Sequence, residues 1–159
     1  MTALPRAAPA AESVAEFVTA TIGGQLFGLP IVHVHDVFVV AQITPVPRAP
    51  QAVAGVLNLR GRIVTAIDMR VRLGMPHDPG SRPRLAVGVD RGTDCYGLLV
   101  DQVGEVVRLE AGAREPHPIN IDPILAVFSN GIHRLEGRLL VTLDVERVLD
   151  VGSEVVVAS

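Results

Sequence analysis

Few residues in this sequence have the types and spacing that chemistry needs. His33-Val34-His35 sets two imidazoles two residues apart. On a strand they would share one face and could offer two nitrogens to a metal. A catalytic zinc site needs a third protein ligand, and no matching pattern stands nearby. An exposed or hydrogen-bonded histidine pair is therefore the favoured reading, and a small-ligand or metal-binding barrel built on His33 and His35 is the alternative. His77, His117 and His133 fall in or near loops and read as solvated. Ser13, Ser81, Ser129 and Ser153 lie outside any Gly-x-Ser-x-Gly elbow, so nucleophilic catalysis has no support. All fourteen basic residues are arginine. The absence of lysine removes a P-loop lysine and a Schiff-base lysine together. The single Cys95 has no disulfide partner in the chain and reads as a buried free thiol.

Asp68 and Asp144 occupy equivalent places in two related stretches. Gly55-Val-Leu-Asn-Leu-Arg-Gly61, with Arg62 and Asp68 beyond it, returns seventy-six positions later as Gly131, Leu135, Gly137, Arg138 and Asp144. A helix start follows each aspartate, so both read as helix caps rather than as a catalytic carboxylate pair. Asp101 ends a strand and reads as structural in the same way. The two stretches differ at the turn: Asn58-Leu59-Arg60-Gly61 in the first copy, Arg134-Leu135-Glu136-Gly137 in the second. Residues common to both serve the fold, and Asn58 and Arg60 are the candidates for function. The turn needs its glycine, but nothing in a turn needs an arginine before it. A planar guanidinium with several donors is a good anchor for a protein partner.

Composition sets the frame for these residues. With 48% hydrophobic and 19% charged residues in 159, the chain can bury a core, and with only 3% aromatics that core must be aliphatic. A chain of this size buries roughly two-thirds of its unfolded surface. A formal net charge of −3 argues against a sequence-independent nucleic-acid binder. No apolar run approaches the roughly 20 residues that span a bilayer, and residues 1–15 lack the pattern of a secretory signal. A cytoplasmic, non-inserting protein is the expectation.

The elements that must hold Arg60 and its neighbours are short strands. Residues 1–14 read as a flexible tail. Phe17 to Ile22 and Leu26 to Ile31 form a hairpin about Gly23-Gly24, and Val32 to Val40 read as a turn of helix leading into a strand. Pro50 opens a short helix ending near Gly55. Val56 to Leu59 and Arg62 to Ile67 form a second hairpin, followed by a helix from Asp68 to Leu73. Met75 to Pro83 is the linker. The pattern then restarts with a hairpin over Leu85 to Val100, a strand from Val103 to Leu109, a last hairpin from Ala126 to Leu143 and a helix to Leu149. A second echo, offset by sixty-nine, sets Phe27-Gly28, Val34, Asp36 and Val37 against Tyr96-Gly97, Val103, Glu105 and Val106. The expected fold is mostly β: two five-stranded barrels from an internal duplication, with short helices. The first covers about residues 15–80 and the second 81–150, with a short tail at 151–159. Whether each half keeps its own first hairpin or exchanges it stays open.

Over about residues 16–150 the sequence resembles the CheW family of bacterial chemotaxis coupling proteins. Gly55-Val-Leu-Asn-Leu-Arg-Gly61 followed by Asp68 carries the resemblance most specifically. Phe27-Gly28, Ile43-Thr-Pro-Val-Pro-Arg-Ala-Pro50, Gly97-Leu-Leu-Val-Asp-Gln-Val103 and Leu143-Asp144 support it. The resemblance implies two SH3-like barrels without catalytic activity or cofactor, bridging the cytoplasmic tips of chemoreceptors to the regulatory domain of the histidine kinase CheA. The implied location is the cytoplasmic side of receptor arrays. Carried over by position, the receptor-binding residues are Val34, Asp36, Val37, Asn58, Arg60, Val103 and Gly104. The kinase-binding residues are Val40, Ile43, Val46 and Pro47. Thr65-Ala66 departs from the family's usual Pro-Val, a change expected to affect an edge strand more than the turn.

Overall fold

A computed structural model describes residues 14–77 and 82–150. The expected tails at residues 1–13 and 151–159, and the centre of the expected linker, lie outside them. Val14, assigned to the tail from sequence, already belongs to the first strand. The strands are β1 (Val14–Ile22), β2 (Gln25–Pro30), β3 (Val34–Val39), β4 (Val53–Leu59), β5 (Arg62–Asp68), β6 (Leu85–Arg91), β7 (Asp94–Val100), β8 (Gln102–Glu110), β9 (Ser129–Leu135) and β10 (Arg138–Leu143). The short helices are α1 (Met69–Arg72), α2 (Pro123–Phe128) and α3 (Val145–Val148), and a 3-10 turn (Ile31–His33) leads into β3.

The fold is mostly β, in two five-stranded sheets ordered β8-β1-β2-β10-β9 and β3-β6-β7-β5-β4. The first hairpin of each sequence half sits in the sheet built from the other half. Parallel pairing performs both exchanges in the same register. Leu26, Phe27 and Gly28 oppose Leu140, Val141 and Thr142, just as Cys95, Tyr96 and Gly97 oppose Val64, Thr65 and Ala66. Each parallel seam is buried, as parallel pairs require. Phe27, Leu98, Leu140 and Ala66 are all 0% exposed.

Because hairpins cross between sheets, the larger buried cluster draws on both: Ile22, Phe27 and Leu29 from one, Ile67, Val87 and Leu98 from the other. A smaller cluster, with Phe38, Val40, Leu57 and Val64, lies within the second sheet. Burying a side chain the size of Phe27 or Leu98 contributes about 2–3 kcal/mol relative to leaving it in water. Arginines and one aspartate tie the two sheets together polar group by polar group. Arg72 donates to the carbonyls of Val148 and Arg147 at 3.0 Å each and stacks 4.7 Å from the Phe128 ring centroid. Arg91 donates to the Leu149 carbonyl at 3.1 Å. Asp101 Oδ2 accepts from the Gly23 amide at 2.8 Å and from Arg70 at 2.7 Å.

Asp68 and Asp144 are helix N-caps. Asp68 Oδ1 accepts from the amides of Arg70 and Val71, and Asp144 Oδ1 from that of Arg147. Elsewhere the structure corrects the sequence reading. Pro50 opens a turn, not a helix, and Val53 is already in β4. Ala126 to Phe128 end a helix capped by Asp122, so the last hairpin begins only at Ser129. Asp122 followed by Pro123 is a helix-start pair that the apolar run after it obscured. β5, which carries Thr65-Ala66, is paired on both sides and is an inner strand. Cys95 is half-buried rather than buried. His133 is on β9 and only 5% exposed. Among the described residues no helix is long and apolar enough to cross a membrane.

Candidate protein-protein interface

Leu59 pairs with Arg62, leaving Arg60-Gly61 as a two-residue hairpin loop. Arg60 has φ 53° and Gly61 φ 85°, both left-handed. Such a turn matches strand twist but favours Asn or Gly at its first central position. An arginine there costs about 1–2 kcal/mol of backbone strain. Asn58 Oδ1 accepts from the Gly61 amide at 3.0 Å and so holds the turn from the strand side. The equivalent loop, Glu136-Gly137, is built differently. Only Gly137, at φ 76°, is left-handed, so Glu136 sits without strain. Arg134, in the place of Asn58, instead forks onto Glu115 at 3.1 and 3.2 Å. The sequence difference between the copies is thus a difference in turn geometry, and Asn58 has a part in the fold as well as a place on the surface.

Arg60 reaches across from the β4–β5 turn to Asp36 on β3, with Nη1 3.1 Å from Oδ2. β3 and β4 are the two edges of their sheet, so the ion pair spans the gap between edges. Arg60's side chain remains 72% exposed. On the same edge strand Val34 is half-buried and Val37 exposed. Val103 and Gly104 lie on β8, the edge of the other sheet, where they line a groove of about 830 Å3 with Thr19, Glu105, Glu136 and Arg138. Here the counterparts of Asp36 and Arg60 are Glu105 and Glu136, two acids that cannot pair. One gap is bridged by its own ion pair and the other stands open. The residues expected at the receptor surface therefore fall into two groups on different sheets: Val34, Asp36, Val37, Asn58 and Arg60 on one, Val103 and Gly104 on the other.

The expected kinase surface is corrected at one position. Val40 is 4% exposed within the smaller core cluster, whereas Val39 is 73% exposed. Side chains alternate along a strand, so a shift of one residue moves the contact from core to solvent. Val46 is 40% exposed, Pro47 is exposed and Ile43 is half-buried. Phe38, Val39, Thr44, Leu57 and Leu59 line a cleft of about 420 Å3 between the sheet edges. Sequence reasoning passed over two exposed residues near this stretch, Val39 and Arg48, the latter visible as the single charge between Asp36 and Arg60.

The histidine pair does not form the expected face. His33 ends the 3-10 turn and His35 is on β3, with its Nδ1 3.6 Å from Asp36 Oδ1. Among the described residues no group of three or more His, Cys, Asp or Glu could hold a metal ion.

The CheW-like domain family model matches residues 16–152. The chain belongs to the CheW family. Among CheW relatives it is 30% identical over 134 residues to the chemotaxis protein CheW of Klebsiella aerogenes, covering 84% of this chain and 81% of that one. It is 31% identical over 132 residues to a probable chemotaxis protein CheW of Rhizobium etli, covering 82% and 84%. The crystal structure of the scaffolding protein TtCheW from Thermoanaerobacter tengcongensis superposes with a TM-score of 0.74 at 28% identity, over 86% of this chain and 92% of that one. CheW membership makes this chain a chemotaxis coupling adaptor, and it gives the Asn58-Leu59-Arg60-Gly61 turn its context: a strained, exposed arginine on a protein whose work is contact.

Proposed function

We propose that this chain is a non-catalytic adaptor that holds the cytoplasmic tip of a chemoreceptor beside the regulatory domain of a CheA-type histidine kinase, at receptor arrays on the cytoplasmic side. The observation that carries the reading is Arg60: an exposed guanidinium kept in a left-handed turn at a local energetic cost, where asparagine or glycine would fit better. Residues held in such conformations at a cost concentrate at functional sites. Its pair with Asp36 is solvent-exposed and so contributes only about 0–1 kcal/mol. A receptor carboxylate can therefore take over the guanidinium, or a receptor cation the Asp36 carboxylate, with little loss. Val34 and Val37 supply apolar contact beside the pair, with Val103 and Gly104 on the other sheet. Val39, Val46, Pro47 and Ile43 form the kinase-facing surface.

The mechanism is placement. Exchanged hairpins and the arginine ties join the two sheets into one body. A receptor rearrangement felt at one surface changes the position of the kinase domain held at the other, which is a coupling free energy between two sites. The test is Arg60→Ala in a pull-down with a receptor tip fragment. Receptor capture should fall about tenfold, equivalent to about 1.4 kcal/mol, while the melting temperature stays close to the parent's. Undiminished capture by a folded variant would remove Arg60 as the anchor.

A further inference from the structure

Between Asp36 and Arg60 the chain carries a single charged residue, Arg48. It lies in the turn Val46-Pro47-Arg48-Ala49, closed by the Ala49 amide donating to the Val46 carbonyl at 3.3 Å. Arg48 has φ 66°, and among the described residues only it and Arg60 are non-glycine residues with positive φ. Proline followed by a left-handed residue is the pattern of a type II turn, whose third position asks for glycine or asparagine. A merely solvated position would be filled at lower backbone cost by either. Arg48 is exposed, and none of the ion pairs among the described residues involves it. The turn around it is apolar, with Val46 and Pro47 both exposed.

We propose that Arg48 is the electrostatic anchor of the kinase-facing surface, its guanidinium meeting a carboxylate on the kinase's regulatory domain while Val46 and Pro47 pack around it. This inference rests on the adaptor reading above and names the chemistry at one of its two surfaces. The partner's charge follows from desolvation. Apolar contact that covers Val46 and Pro47 also strips water from the one cation among them, and a desolvated cation without a counter-charge opposes binding. A surface that accepts this patch must therefore bring an acid to it. Arginine suits that position better than lysine, because the guanidinium is more weakly hydrated and can fork onto both carboxylate oxygens.

The test measures binding of the purified regulatory domain of the cognate CheA-type kinase to the full chain by calorimetry at low and high salt, with thermal melts alongside. Arg48→Asn keeps the turn geometry, so its melting temperature should equal the parent's or exceed it by a few degrees. Its affinity for the kinase domain should fall at least tenfold at low salt and depend less on salt, while receptor-tip binding stays unchanged. Arg48→Lys should recover part of the loss. Val46→Asp separates this inference from the reading beneath it. If Val46→Asp abolishes kinase binding and Arg48→Asn binds within twofold of the parent, the surface stands and Arg48 is not its anchor. If both variants bind like the parent, the kinase-facing surface itself is misplaced. A melting temperature lowered by Arg48→Asn overturns the turn argument.

Discussion

Replacing Asp101 tests whether the two sheets act as one body. Asp101 lies between β7 and β8, and its Oδ2 accepts from the Gly23 amide in the β1–β2 turn at 2.8 Å and from Arg70 Nη2 in α1 at 2.7 Å. One carboxylate thus joins the exchanged hairpin of the first sheet to the helix that follows the second. The pair is mostly covered, with side-chain exposures of 33% for Arg70 and 21% for Asp101. The hydrogen bond that Arg70 donates to Asp101 raises the Arg70 pKa against the opposing effect of burial. A hydrogen bond to a charged group contributes about 1.5–3 kcal/mol. Asp101→Asn keeps one acceptor oxygen and loses the charge, so about 2 kcal/mol should be lost, a fall in melting temperature of about 4–8 °C for a chain of this size. Urea unfolding followed by circular dichroism, run on Asp101→Asn, Arg70→Met and the double variant, isolates the pairwise part, expected at about 1–1.5 kcal/mol. A single-variant cost below about 0.5 kcal/mol, with no coupling in the cycle, would refute the tie, since that lies within the about 0–1 kcal/mol of an exposed surface pair.

Two further outcomes use the duplication as an internal control. Gly55 and Gly131 share nearly the same backbone, at φ 148° and 147°, but a Cβ on Gly55 would strike the Thr44 backbone and one on Gly131 the flexible Arg114 side chain. Gly55→Ala should therefore cost about 2–3 kcal/mol in denaturant unfolding and Gly131→Ala only about 1 kcal/mol, within the usual range for backbone strain and overpacking. His133 stands where the first copy has Leu57, each paired across its hairpin with an equivalent apolar residue, Leu140 or Val64. Burial pushes the His133 pKa down, opposed by a hydrogen bond to the Glu110 backbone. The folded state therefore binds a proton less readily than the unfolded one. His133 contributes its full share of stability above its unfolded pKa of about 6.5 and less as pH falls below it. His133→Leu should flatten the decline between about pH 7 and pH 5, and an unchanged slope would show that another group sets it.

Much of this was legible because local patterns act locally. Asp68 and Asp144 read as caps since a side-chain oxygen before an apolar helical run has amides within reach, and both cap in the structure. The Gly61 and Gly137 turns followed from strands of alternating pattern on either side. The hairpin exchange was not legible, because Leu26 to Gly28 and Cys95 to Gly97 carry the same apolar pattern and either parallel partner would bury it. The Val39–Val40 phase was lost where consecutive valines erase the alternation. The strain at Arg48 and Arg60 lies in backbone angles that residue types do not record. The open groove by Val103 and Gly104 depends on Glu105 and Glu136 meeting across thirty residues of sequence, which only the fold brings about.

The most direct measurement combines this chain, the kinase and membranes carrying the chemoreceptor, and follows the kinase by co-sedimentation. The kinase should pellet with the receptor when the chain is present, and recruitment should fall with Arg60→Ala and with Arg48→Asn, each variant remaining folded. Kinase that pellets equally without the chain, or a chain that binds neither partner, would contradict the adaptor role.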